Sequence, residues 1–197
     1  MKKVLITGFA RSGTSLLARF LTEIGYDLGG TWSSEINAGY EDENFSKIIT
    51  TYQMNSFTED LILFIENEIK KIDKMIVKHP RVLYNPEFLR IWTNVYPETS
   101  VVVTYREPYH AFQSKQKTGN VGYFNNFSPS ELDSKFHKFI DTLIHLRIKH
   151  HILYFPDFLT DYDKIYHSMH SLGIRFDKDK GRGVWVNLVD PNKVHYK

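Results

Sequence analysis

Apolar and polar positions along the chain form two alternating kinds of segment. Four short runs are continuously apolar and bounded by polar or turn residues: Val4–Thr7, Met75–Lys78, Val101–Tyr105 and Ile152–Phe155. Continuous apolar runs of this length are typical of strands that are buried on both faces of a parallel sheet. We therefore predict four buried, parallel strands.

Segments with the spacing of amphipathic helices lie between and after these runs. They are Ser15–Ile24, Thr58–Lys71, Pro86–Val95, Pro129–His151 and Asp161–Leu172. In the second of them, Leu61, Ile65 and Ile69 share one face, with acidic residues early and lysines late, as the helix dipole favours. Strands that alternate with helices in this order predict an α/β fold, a three-layer αβα sandwich around a central parallel sheet.

Two segments, 29–44 and 115–128, are long, polar and weakly patterned. In open α/β sheets such loops lie at the carboxyl ends of the strands and carry the functional site. No repeat, low-complexity tract or linker divides the sequence, and its 197 residues are the length of about one domain. We therefore expect a single domain over residues 1–197 with two loops that form its site.

The composition excludes several classes of function but does not select one. Lys plus Arg number 25 and Asp plus Glu number 23, so the net charge of +2 gives no reason to expect a nucleic acid or an acidic membrane as partner. The absence of cysteine excludes disulfides, thiol nucleophiles and cysteine-ligated metals. The N-terminal apolar run is only Val4 to Ile6, and no run approaches the ~20 residues that cross a bilayer. We expect a cytoplasmic protein.

The most informative motif is Gly8-Phe-Ala-Arg-Ser-Gly-Thr-Ser15, which lies directly after a predicted strand and before a predicted helix. Its spacing matches a P-loop, except that Thr14 stands where the Walker A motif has lysine. The N–H groups of such a loop point inward, and the following helix directs the positive end of its dipole to the same place. Arg11 can supply the missing cation and hold two oxygens at once. The loop therefore predicts an anion site.

A P-loop NTPase also holds Mg²⁺ with an aspartate at the end of a later strand. Here the later predicted strands end in Lys78-His79, Tyr105-Arg106 and Phe155-Pro156. Without a Walker lysine and a metal-binding carboxylate, hydrolysis of ATP or GTP is disfavoured. We assign no metal site.

A second motif, Arg106-Glu-Pro-Tyr-His-Ala-Phe-Gln-Ser114, follows the third predicted strand. If Pro108 begins a helix, Arg106 at the strand end and Ser114 about two turns along face one anion. Together with Arg11 to Ser15, this motif resembles the sulfotransferases that use 3′-phosphoadenosine 5′-phosphosulfate (PAPS).

The resemblance implies a fold like that of the P-loop nucleoside triphosphate hydrolases, PAPS as co-substrate, and no metal. It also implies that Arg106 and Ser114 hold the 3′-phosphate. The 5′-phosphosulfate would be bound by the loop residues Arg11, Ser12, Gly13, Thr14 and Ser15, with Arg11 also acting on the sulfuryl group.

Three further segments extend the resemblance. Lys78-His-Pro-Arg81 resembles the Lys-x-Pro-Arg of bacterial members and the Lys-Thr-His of cytosolic members, in which the histidine is the base. Gly39-Tyr-Glu41 resembles a Gly-(Tyr/Trp)-Glu segment of bacterial members. The segment 180–187 resembles the Arg-Lys-Gly-x-x-Gly-x-Trp tail that closes over the 3′-phosphate, although Asp179 replaces the arginine and the glycines are one residue closer. The resemblance of this segment implies that Lys180 and Arg182 also bind the nucleotide.

An acceptor hydroxyl or amine also needs a base, and the sequence offers two equal candidates. His79 follows a predicted strand, and a neutral imidazole suits the task. Glu41 lies in the polar loop after the first helix, with Glu35 as a neighbouring candidate. A structural histidine and a solvated acidic run are the alternatives for these positions. The sequence does not separate Glu41 from His79.

Three functions stay open. The chain is a PAPS-dependent sulfotransferase with a small-molecule or glycan acceptor, a P-loop small-molecule kinase, or a non-catalytic protein that binds a 3′,5′-bisphosphonucleotide. The kinase needs a carboxylate that binds Mg²⁺ and a lysine that binds phosphate. The third function stays open because the strong motifs concern the donor and not the acceptor.

Tyr123, Phe124 and Phe127 are candidates for an acceptor pocket. We predict that His150 and His151 cap the longest helix; the acceptor and the oligomeric state are not predicted.

Overall fold

The structure is a computed structural model that describes residues 2–9, 11–33, 38–54, 58–118 and 127–189. Its strands are β1 Lys3–Gly8, β2 Trp32–Ser33, β3 Ala38–Gly39, β4 Ile76–Lys78, β5 Thr99–Arg106 and β6 Lys149–Phe155. Its helices are α1 Thr14–Glu23, α2 Glu43–Met54, α3 Glu59–Lys70, α4 Phe88–Val95, α5 Pro108–Thr118, α6 Pro129–His145, α7 Tyr162–Ser171 and α8 Lys178–Val189. None of these described helices is both long enough and apolar enough to cross a membrane.

The central sheet has four parallel strands in the order β4-β1-β5-β6, and β2 and β3 form a separate antiparallel pair. All six residues of β1 are buried, which accounts for the continuously apolar run in the sequence. In the register between β1 and β5, Gly8 lies opposite Thr104. The carboxyl ends of β1, β4 and β5 therefore meet at one edge of the sheet, where the candidate site residues lie.

Helices cover both faces of this sheet. Alternate strand residues, such as Leu5 and Val103, pack on one side against a core that includes residues of α2, α3, α4 and α6. Their neighbours, such as Ile6 and Val102, pack on the other side against α1, α7 and α8. The predicted α/β class and three-layer αβα arrangement are confirmed.

The longest predicted helix is too long. Helix α6 ends at His145, where Arg147 takes a left-handed φ of 54° and the N–H of Ile148 bonds to the carbonyl of Leu143. Such a bond closes the last turn and directs the chain out of the helix. His150 and His151 therefore lie in strand β6 and do not cap the helix, so that prediction is wrong.

Two helices were not predicted. Helix α2 begins at Glu43, within the predicted polar loop 29–44, because Asp42 accepts the N–H of Phe45 at 2.8 Å and so caps its first turn. Helix α8 includes Gly181 and Gly183, which favour a loop in an isolated chain. Burial of Trp185 on this helix offsets that preference, since tertiary packing stabilises an amphipathic face.

Candidate active site

The loop after β1 has two residues with left-handed backbone conformations directly before helix α1. Gly13 has a left-handed φ of 89° and is the N-cap of α1, so no N-cap side chain accepts from the first-turn N–H groups. Arg11 also has a left-handed φ of 68°, which is uncommon for a residue with a side chain and costs free energy. A conformation of this kind persists only where its surroundings hold it in place.

The hydroxyl and the N–H of Ser12 both form hydrogen bonds inside the protein. Its hydroxyl donates to the carbonyl of Phe9 at 2.6 Å and lies 2.7 Å from the Thr104 hydroxyl, while its N–H bonds to Phe9 at 3.2 Å. The side chain is completely buried. Ser12 therefore shapes the loop, and its predicted contact with phosphate stays a prediction.

Arg106 connects the second motif to this loop. Its Nη1 donates to the carbonyl of Arg11 at 3.1 Å, and its guanidinium lies 4.9 Å from the ring centre of Phe155. Burial lowers the pKa of Arg106, and the like charge of Arg11 lowers it further. Arg106 is thus held against the loop that precedes α1, and Arg11, in that loop, is close enough for the two like charges to repel; an anion would stabilise this arrangement.

Lys78, at the end of β4, belongs to the motif Lys78-His-Pro-Arg81, whose resemblance implied no role for it. Its side chain is 1% exposed, and its ammonium donates to the Ser15 hydroxyl at 2.9 Å, to the Gly39 carbonyl at 2.9 Å and to the carboxylate of Glu41. These bonds use all three donors of the ammonium. Burial lowers the pKa of Lys78, and Glu41 opposes this effect. The sequence feature that indicates this role is a lysine at the end of a predicted buried strand.

The segment around Glu41 is closely held by its neighbours. Tyr40 is buried with a left-handed φ of 66°, and its N–H donates to Thr31 at 3.0 Å. A Cβ atom on Gly30 would lie 2.4 Å from the Glu41 carbonyl, so only glycine allows this close approach. The Glu41 side chain is 27% exposed. Its carboxylate is thus fixed near Ser15 through Lys78 and still reaches solvent.

His79 occupies a different environment. It is 4% exposed, its Nδ1 accepts the N–H of Arg81 at 3.2 Å, and its ring meets that of Phe45 edge-on. Burial is the largest cause that lowers the pKa of His79 to about 3, and the charges of Lys78 and Arg81 add to it. The ring is therefore neutral near pH 7 and caps the 3₁₀ turn Pro80–Val82.

Burial of His79 predicts a loss of stability in acid. The unfolded chain binds a proton at this histidine below about pH 6.5, whereas the folded chain binds it only near pH 3. The free energy of unfolding therefore falls as the pH drops from about 6.5 to 3, by up to about 1.4 kcal/mol per pH unit for this group. We expect His79→Asn, which keeps an acceptor for Arg81, to make that dependence shallower in urea unfolding.

His167 provides the control for this measurement because its ring is exposed on α7. His167→Asn is expected to keep the wild-type slope of unfolding free energy against pH. Equal slopes in the wild-type protein and His79→Asn would contradict the assignment of a buried, neutral imidazole.

The remaining predicted site residues lie in several different elements or outside the described residues. Thr14 is buried in the first turn of α1, and Ser114 is half-buried in α5, the helix that begins at Pro108 as predicted. Phe127 stacks on Tyr84, with ring centres 5.6 Å apart. Glu35, Tyr123 and Phe124 lie outside the described residues.

Lys180 and Arg182 lie in α8 and not in a loop that closes over a ligand. Arg182 donates to Asp163 at 3.0 Å and its guanidinium lies 5.1 Å from the ring centre of Tyr162. The N–H of Lys180 bonds to Asp177 at 2.7 Å. The guanidinium of Arg182 is therefore held against α7, and both roles stay predictions.

Within the described ranges, no three His, Asp or Glu side chains are grouped so that they could hold a metal ion. The candidate site therefore combines the basic side chains of Arg11, Arg106 and Lys78 with the carboxylate of Glu41. Such a set can bind a polyanionic ligand and remove a proton beside it.

Comparison with known proteins agrees with this fold. The chain is similar to the sulfotransferase domain from the olefin synthase of Synechococcus PCC 7002, at 14% identity and a TM-score of 0.55, over 95% of this chain and 77% of that one. It is also similar to the sulfotransferase domain from the curacin biosynthetic pathway, at 14% identity and a TM-score of 0.50, over 89% and 75% of the two chains. These domains have the P-loop nucleoside triphosphate hydrolase-like fold, and at this identity the likeness concerns the fold alone.

The search of curated proteins finds no match. The family model described as "Sulfotransferase domain" matches residues 3–190, nearly the whole chain. The protein is therefore a transferase of the sulfotransferase domain family.

Proposed function

We propose that this protein transfers a sulfuryl group from PAPS to a hydroxyl or amine of a small-molecule or glycan acceptor, without a metal. The observation that carries the proposal is the contact between the Arg106 guanidinium and the Arg11 carbonyl. It joins the phosphate loop of β1 to the second motif at the end of β5. A ligand with anionic groups on both sides of an adenosine would use both motifs at once.

The loop suits the 5′ end of such a ligand. The first-turn N–H groups of α1, the Thr14 and Ser15 residues and the Arg11 guanidinium together offer donors and positive charge to a phosphate. PAPS supplies a sulfuryl group on a phosphate leaving group. Arg11 and the loop amides stabilise the negative charge that develops on that phosphate, which is the main need of a group transfer of this type.

Arg106 and Ser114 suit the 3′-phosphate. Arg106 is half-buried with Arg11 as its charged neighbour, and Ser114 follows on α5, about two turns from Pro108. A dianionic phosphate would relieve the repulsion between the two arginines and accept two parallel bonds from a guanidinium.

Glu41 is the base that we propose for the acceptor. Its carboxylate is bound to Lys78, which also binds Ser15 of the phosphate loop, and more than a quarter of its side chain is exposed. An acceptor can therefore reach it beside the donor. His79 is buried, and its pKa of about 3 makes its imidazole a weak base at neutral pH.

Calorimetry with 3′-phosphoadenosine 5′-phosphate tests the donor site. We expect binding without metal, tighter than that of ATP with or without Mg²⁺. Arg106→Ala is expected to weaken it about 100-fold, because a charge-assisted bidentate contact and a desolvated cation are both lost. Arg90→Ala, which removes an exposed arginine of α4 paired with Glu87, is the matched control.

Tighter binding of ATP with Mg²⁺, together with no effect of Arg106→Ala, would contradict the PAPS proposal and favour a kinase. Radiolabelled transfer from PAPS to a panel of hydroxyl and amine acceptors separates an enzyme from a non-catalytic nucleotide-binding protein. Binding of the bisphosphate without transfer to any acceptor would favour the latter.

A further inference from the structure

Thr104 is a completely buried polar residue of β5 whose hydroxyl contacts the phosphate loop. Its Oγ1 lies 2.7 Å from the Ser12 Oγ, and the Ser12 side chain is also completely buried. The two hydroxyls join residues 92 positions apart in the sequence. Thr104 is two residues before Arg106, so both side chains lie on the same face of β5.

The direction of this contact follows from the chemistry of its partners. The Phe9 carbonyl can only accept, so the single hydroxyl proton of Ser12 is donated to Phe9, at 2.6 Å. Ser12 must then accept from Thr104. The two hydroxyls form a directed chain from Thr104 to Ser12 to the Phe9 carbonyl, entirely inside the protein.

We infer that Thr104 is a positioning residue that fixes the distance between the phosphate loop and Arg106. The inference rests on the proposed function, in which those two features hold the two phosphates of one nucleotide. Arg106 is anchored on β5, and the loop is anchored on the same strand by the hydroxyl chain. The bond from Arg106 to the Arg11 carbonyl is only partly buried, whereas the bond between Thr104 and Ser12 is completely buried.

A fixed distance favours a ligand that uses both sites at once. When one phosphate is bound, the other is held at a high effective concentration only if the second site lies at the matching distance. A loop that shifts relative to β5 still binds a single phosphate but loses part of this advantage. We therefore expect Thr104 to affect the ratio between the affinity for a nucleotide with two phosphate groups and that for a nucleotide with one. It is not expected to affect the affinity for phosphate in general.

The test compares the affinity of 3′-phosphoadenosine 5′-phosphate with that of adenosine 5′-phosphate, by calorimetry on the full chain. We expect Thr104→Val to lower the ratio of the two affinities roughly five- to tenfold, the value of about one internal hydrogen bond. Thr104→Ser keeps the hydroxyl and is expected to retain the ratio within about twofold.

Thr99→Val is the matched control, because Thr99 is a buried, hydrogen-bonded threonine at the other end of the same strand. It is expected to lower stability without changing the ratio. If Thr104→Val does not fold, Ser12→Ala removes the acceptor of the same bond and is expected to lower the ratio similarly.

The possible outcomes are distinct. A wild-type protein that binds both nucleotides equally contradicts the proposed function and, with it, the inference. A wild-type preference for the bisphosphate that survives Thr104→Val or Ser12→Ala overturns the inference alone. The same holds if Thr99→Val changes the ratio as strongly as Thr104→Val does, since the effect would then follow stability.

Discussion

Glu41→Gln is expected to lower turnover with PAPS by about 10²- to 10⁴-fold, the contribution of a positioned general base. Glutamine has nearly the same shape as glutamate, so it can still accept from the buried Lys78 ammonium and keep the segment in place. It cannot take a proton from the acceptor. Binding of 3′-phosphoadenosine 5′-phosphate is therefore expected to remain within a few-fold of the wild-type value, measured alongside radiolabelled transfer.

Glu43→Gln is the matched control for this variant. Glu43 belongs to the same acidic run, but its side chain is 85% exposed and pairs with Lys47 on the surface of α2. Its replacement is expected to leave turnover unchanged. If Glu41→Gln keeps its activity and His79→Asn loses it, Glu41 is not the base and the role passes to His79.

Gly8→Ala is expected to reduce the free energy of unfolding by at least about 3 kcal/mol and to abolish nucleotide binding. The added Cβ would lie 2.3 Å from both the carbonyl oxygen and Oγ1 of Thr104, and 2.8 Å from the Ser12 Oγ. These are backbone and buried atoms, so β1 and β5 must separate where the loop begins. Overpacking that displaces side chains and backbone costs about 1–3 kcal/mol and sometimes more, and contacts as short as these place Gly8→Ala at the upper end. Urea unfolding and calorimetry measure the two effects.

Gly183→Ala provides a control with the opposite sign. Gly183 lies within α8, and a Cβ there would meet no atom within 4 Å. Alanine is the better helix former, so this variant is expected to gain about 0.5–1 kcal/mol. A Gly8→Ala protein as stable as the wild type would contradict the tight packing between β1 and β5.

The fold was largely predictable because its strongest signals are local. The four apolar runs correspond to the four parallel strands: β1, β5 and β6 are longer than the predicted runs and β4 is one residue shorter. The first motif lies between β1 and α1. Two errors have different causes. The apolar spacing of α6 continues past His145, but the left-handed Arg147 and the backbone bond from Ile148 to Leu143 end the helix there. Helix α8 was missed because burial of Trp185, a tertiary contact, overrules the preference of its glycines.

The candidate site was predictable only in part. The motifs named Arg11 and Arg106, and the fold brings the Arg106 guanidinium into contact with the Arg11 carbonyl. The sequence did not separate Glu41 from His79, because their difference lies in burial and in the partners of each side chain. It also did not indicate that the Ser12 hydroxyl faces inward, since that depends on Thr104 from another strand.

The sequence by itself determined that two motifs, both predicted to bind anions, follow buried strands, because glycine, arginine and strand patterning act over a few neighbouring residues. Only the tertiary structure decided which side chains share charge and hydrogen bonds: Lys78 with Glu41 and Ser15, and Thr104 with Ser12. Those pairs are separated by 37 to 92 residues, so no local pattern encodes them. They arise when parallel strands place distant residues a few ångströms apart at one edge of a sheet.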